Sequence, residues 1–107
     1  MVMTSDRIEK LRKLLDADPG DTFCLYALAQ EYAKRGEQDE AIAWFDHVIA
    51  VEPGHAYAHF HKARSLESLG RKDDAREVLQ RGLKAASAGA DPKAAHELEE
   101  YLQSLGD

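Results

Sequence analysis

The sequence predicts an all-helical protein of stacked antiparallel hairpins, and three observations carry that expectation. Matched residues recur at a spacing of 34, apolar residues run three and four apart, and glycines and prolines fall where that spacing breaks. Residues 22–53 laid over residues 56–87 place Ala29 on Ala63, Gly36 on Gly70 and Ala41 on Ala75. Tyr32 falls on Leu66, Phe45 on Leu79 and Ile49 on Leu83, while Pro19 and Pro53 share the same spacing. Small residues thus recur on small ones and large apolar residues on large ones.

A lead-in helix is expected over residues 5–17, with Ile8, Leu11, Leu14 and Leu15 as its apolar stripe. The first repeat, 22–53, is a hairpin. Its first helix carries Leu25, Leu28, Ala29, Tyr32 and Ala33, and its second Ala41, Ile42, Phe45, Val48 and Ile49. Gly36 and Gly70 suit the left-handed backbone that ends a helix, and Pro19 and Pro53 follow the ends of others. Ala29, Ala63, Ala41 and Ala75 are small where paired helices approach closely. The second repeat, 56–87, follows the same plan. Residues Ala85 to Ala90 read as a turn. A capping helix spans 91–105, with Asp91 as N-cap, Pro92 in the first turn, and Ala94, Ala95, Leu98, Leu102 and Leu105 as its stripe. Its glutamates face elsewhere and give an open-ended stack a polar terminus. The expectation is six helices in one domain over residues 1–107.

At 107 residues, 44% apolar and 32% charged, the chain suits one soluble domain. Cys24 is the sole cysteine, so no internal disulfide can form. The opening residues are charged, no apolar signal core follows them, and the longest apolar run is Ala41 to Phe45. A cytoplasmic protein without membrane association is expected. The net charge of −6 is uneven: residues 21–53 carry seven acids and two bases, residues 54–85 seven bases and four acids. The acidic total argues against nucleic-acid binding. The bases Arg71, Lys72, Arg76, Arg81 and Lys84 alternate with Asp73, Asp74 and Glu77, as on a solvated helix face.

The repeat resembles the tetratricopeptide repeat. Leu25, Leu28, Ala29, Tyr32, Gly36, Ala41, Phe45 and Pro53 match its signature, with Leu25 in the slot where the family has Trp. The second repeat departs further, with His59 and Lys62 in the aromatic and leucine slots, then Ala63, Leu66, Gly70, Ala75 and Leu79, and Ser87 in place of the proline. The resemblance implies a right-handed superhelix whose concave groove is lined by the first helix of each hairpin. By that carry-over Phe23, Tyr26, Gln30, Ala33 and Lys34 line it in the first repeat, and Tyr57, Phe60, His61, Arg64 and Glu67 in the second. The other reading of these aromatics is packing against neighbouring helices. Some family members clamp the terminal carboxylates of heat-shock chaperones with Lys, Asn and Arg. Tyr26, Gln30 and His61 stand at the corresponding places here, so no such clamp is expected.

Other chemistry finds little support. His55 and His59 have a zinc-like spacing, but His55 follows Pro53-Gly54 and reads as a cap, His61 points away from His59, and His47 and His96 have no partner pattern. Cys24 has no general-base pattern around it, and the glycines sit at hairpin turns rather than in a phosphate loop. No metal, cofactor or catalytic residue is expected. The leading function is an adaptor that holds a peptide or helix of a partner protein in the groove. The alternative is a homodimer whose grooves fill one another, and an enzyme comes a distant third.

Overall fold

The computed structural model describes residues 3–106, so residues 1, 2 and 107 of the expected unit lie outside it. The described residues form α1 (Met3–Ala17), α2 (Thr22–Lys34), α3 (Gln38–Val51), α4 (Ala56–Ser68), α5 (Lys72–Ala88) and α6 (Pro92–Leu105). Among them there is no strand.

The even-numbered helices open on side-chain caps. Asp21 Oδ1 accepts from the Cys24 amide at 3.2 Å, His55 Nδ1 from Ala58 at 3.1 Å, and Asp91 Oδ1 from Ala94 at 3.1 Å. Each cap satisfies one of the amides that a helix N-terminus leaves without an internal acceptor. Of these, α2 and α4 close on a paired-carbonyl turn. In the first, the amides of Gly36 and Glu37 donate back to Ala33 and Tyr32 at 3.0 Å each. In the second, Gly70 and Arg71 donate to Glu67 and Leu66 at 2.9 Å each. This geometry needs a left-handed residue, and glycine supplies it with φ of 79° at Gly36 and 78° at Gly70. The same pattern of bonds ends α5, where Ala90 and Asp91 donate to Ser87 and Ala86.

Two expectations are corrected. The stretch from Ala85 is helical up to Ala88, because Ser87 stands where Pro53 stops α3 and leaves the next turn free to form. Leu14 is 55% exposed and does not join the stripe of Ile8, Leu11 and Leu15. One residue is about 100° of helical rotation, which carries Leu14 from beside Leu15 round to solvent.

The core has two interlocked parts. One gathers Leu25, Leu28, Phe45 and Val48 with the α1 stripe, and takes in Ala58 from α4. The other gathers Leu66, Leu79 and Leu98, with Ile42 of α3 packed against it. Ala29, Ala41, Ala63 and Ala75 are fully buried, which is why a small residue recurs at these places. Phe45 has no exposed surface, and truncating such a side chain costs about 3–5 kcal/mol.

The second hairpin solves its core differently from the first. Leu25 and Val48 become His59 and Gly82 at the same places in the repeat. His59 is buried, and a Cβ on Gly82 would lie 2.7 Å from His59 Cβ. The larger side chain on one helix is matched by none on the other. Lys62, in the slot of Leu28, lays its stem along the core and carries its ammonium to Asp46 of α3.

Each helix packs on the next in sequence. In addition the backbone of α2 comes close to that of α4, and α4 to α6, whereas among the described residues the backbones of α1, α3 and α5 stay apart and meet through long side chains such as Arg12, which lies over the Trp44 ring at 5.6 Å. The even helices therefore converge on the inner side of the stack and the odd helices splay on the outer side.

Candidate functional site

The inner side bears two adjoining cavities. Between α2 and α4 lies one of about 340 Å³, lined by Gln30, Ala33, Lys34, Gln38, His61, Arg64, Ser65 and Ser68, with Phe45 at its base. Between α4 and α6 lies one of about 490 Å³, lined by Phe60, Arg64, Glu67, Glu97, Glu100, Tyr101 and Ser104. Arg64 belongs to both and forms the ridge between them.

A chain of rings runs beneath this surface. Tyr26 lies 6.1 Å from Phe45 and 4.8 Å from His55, and Phe45 stacks on His61 at 6.1 Å with 15° between the planes. His61 meets Phe60 at 5.3 Å, and Phe60 meets Tyr101 at 5.1 Å. These separations suit offset and edge-on aromatic contacts. Burial, then the neighbouring Tyr57, pushes the Tyr26 phenol up to about 12. Burial also lowers His61, with Arg64 and His55 adding to the effect, so its imidazole favours the neutral form. The Tyr101 phenol is raised by burial and by its 2.6 Å bond to Glu67, while Arg64 acts in the opposite sense.

Of the residues that the sequence analysis carried to the groove, Gln30, Ala33, Lys34, His61 and Arg64 line the first cavity, and Phe60, Arg64 and Glu67 the second. Tyr26 and Tyr57 are half-buried in the seams between helices, and Tyr57 donates its hydroxyl to Glu97 at 3.2 Å. Phe23 is 77% exposed and lines neither cavity.

Sequence reasoning missed the contribution of α6. Glu97, Glu100 and Tyr101 stand on the inner surface, where the capping helix was expected to turn a purely polar face outward. The obscuring factor is register: the caps Asp21 and His55 are 34 residues apart, but His55 and Asp91 are 36 apart. An overlay at a fixed period does not carry α4 onto α6. Tyr101, a tyrosine among glutamates, was the available signal.

The remaining candidates resolve into structure. His55 caps α4, and His59 Nδ1 lies 3.0 Å from the His55 carbonyl oxygen. Among the described residues no three His, Cys, Asp or Glu side chains come together as a metal site. Burial and the adjacent Asp21 raise the Cys24 thiol, the opposite of the shift a nucleophile needs. On α5, Arg71 pairs with Asp74, Arg76 with Asp73, and Arg81 with Glu77. Among the described residues no helix is long and apolar enough to cross a membrane.

A superhelical stack of helical hairpins with its first helices turned inward defines a class of repeat protein. Residues 26–95 match the family model of the tetratricopeptide repeat, and the chain belongs to that family. Superkiller protein 3 of Saccharomyces cerevisiae is 32% identical over 77 residues, which are 72% of this chain but 5% of the yeast protein. The solution structure of a tetratricopeptide repeat domain protein from Salinibacter ruber superposes with a TM-score of 0.77 at 30% identity, over 83% of this chain and 90% of that one. PcrH, solved in complex with the chaperone binding region of PopD, superposes with a TM-score of 0.87 at 18% identity, over 95% of this chain and 77% of that one.

Proposed function

We propose that the chain is a protein-interaction module that holds a segment of a partner polypeptide along the inner surface of α2, α4 and α6. The observation that carries this reading is the pair of adjoining cavities. They expose ring surface of Phe60, His61 and Tyr101 beside side chains able to bind a peptide backbone. Gln30, Arg64 and Ser68 offer donors. A rigid floor with a few convergent polar groups is the usual make-up of a binding site. PcrH, of similar fold, is seen with a segment of PopD, which supports the same mode of use here.

A random peptide library selected on the immobilised protein tests the reading. Selected peptides are expected to shift the amide resonances of Gln30, His61 and Arg64. The Gln30→Ala/Ser68→Ala variant should weaken them about tenfold, the size of a modest interface hot spot, without lowering the melting temperature. Shifts confined to the outer face of α5, around Lys72 and Lys84, would discard the inner-surface assignment.

A further inference from the structure

We propose that the cavity between α4 and α6 is an anchoring pocket for an arginine side chain of the bound polypeptide. The proposal rests on the inner-surface reading above and adds the chemistry of its ligand. The floor is Phe60 and Tyr101, with ring centres 5.1 Å apart, and the walls bring up Glu67, Glu97 and Glu100. Against these three carboxylates the lining holds one cation, Arg64, so the pocket favours positive charge.

Two of the carboxylates are held in place by phenols. Tyr101 donates to Glu67 Oε1 at 2.6 Å, and Tyr57 donates to Glu97 Oε2 at 3.2 Å. Each bond engages one oxygen and leaves the other able to accept from a guanidinium. Among the described residues Glu100 pairs only with His96, at 3.6 Å. Arg64 does not neutralise the group internally: among the described residues it has no carboxylate within ion-pair distance. A planar guanidinium suits such a site better than an ammonium, because it stacks on ring faces while donating in its plane to carboxylates. The opening of about 490 Å³ admits a long side chain from above.

The test uses the isotopically labelled full chain and two blocked tripeptides, acetyl-Ala-Arg-Ala-amide and its citrulline counterpart, which keeps the shape and removes the charge. The arginine peptide is expected to saturate shifts at Phe60, Glu97 and Tyr101, and the citrulline peptide to bind at least fivefold more weakly. Glu97→Gln/Glu100→Gln should abolish that preference. Arg64→Gln should strengthen arginine binding about two- to fivefold, since it removes a like charge from the rim. Equal binding of both peptides, or shifts spread over Asp39 and Glu40 as over the pocket, would overturn the proposal. If library peptides map to the inner surface yet show no arginine preference, the arginine pocket alone falls. If none maps there, the polypeptide reading falls and this proposal with it.

Discussion

Ala90 adopts φ of 54°, in the turn position that glycine occupies at Gly36 and Gly70. A side chain in that left-handed region costs about 1–2 kcal/mol. The neighbouring Gly89, at φ −87°, has no need of its freedom, and a Cβ there would meet the Ala85 carbonyl oxygen at an ordinary 3.4 Å. Exchanging the pair, as Gly89→Ala/Ala90→Gly, should therefore stabilise the protein by about 1 kcal/mol, read as a raised urea midpoint. Gly82 makes the opposite case. Alanine is the better helix former by about 1 kcal/mol, yet Gly82→Ala should destabilise by about 1–3 kcal/mol, because its Cβ would sit 2.7 Å from that of His59. Shortening His59 to alanine in the same chain should give no rescue, since the opposing atom is a Cβ that alanine keeps. Recovery of stability in that double variant would show that the imidazole, not the backbone approach, sets the limit.

Among the elements, α1 is the most lightly held, because among the described residues its backbone lies close to that of α2 alone and only Arg12 reaches further, over the Trp44 ring of α3 at 5.6 Å. Besides Ile8, Leu11 and Leu15 it is tied by Arg7 to Glu31 at 2.7 Å and by Arg12 to the Tyr32 hydroxyl at 2.6 Å. The Glu31 side chain is only 8% exposed, and without Arg7 it keeps Lys34 alone, at 3.5 Å. Because Arg7 itself is largely in solvent, Arg7→Met should cost about 1–2 kcal/mol. The loss should appear first as faster hydrogen exchange across α1, and uniform acceleration over all six helices would refute this local picture. The helices were legible in the sequence because each carries its own signals. The ladder from Ala29 to Ala75 marked close approaches, and Asp91-Pro92 marked the start of α6. The end of α5 was not legible, since the small residues from Ala85 onward allow helix and turn alike, and only the absent proline at Ser87 argued for helix. The inner-surface role of α6 was hidden by the two extra residues between its cap and that of α4. Arg64 could be placed on a face from spacing, but that no carboxylate among the described residues comes within ion-pair distance of it depends on where α6 sits.

At the scale of the whole molecule, pH should act through two histidines on α4. Burial lowers both His59 and His61, so each binds a proton less readily in the folded chain than in the unfolded one. Their contribution is complete above the ordinary imidazole value of 6.5 and is lost as pH falls through it. Urea midpoints measured from pH 7.5 to pH 5 should decline, and the His59→Gln/His61→Gln variant should flatten that decline. The inner surface draws on three helices from separate parts of the chain, so a disturbance to α4 reaches both cavities at once.

The bare backbone at Gly82 also bears on how such a protein can be recombined. The two hairpins look like copies, yet a chimera joining the first helix of one to the second helix of the other would set Leu25 over a missing side chain, or His59 against Val48. The smallest exchangeable part is the hairpin, and a lineage that reshuffled single helices would have had to change both partners together.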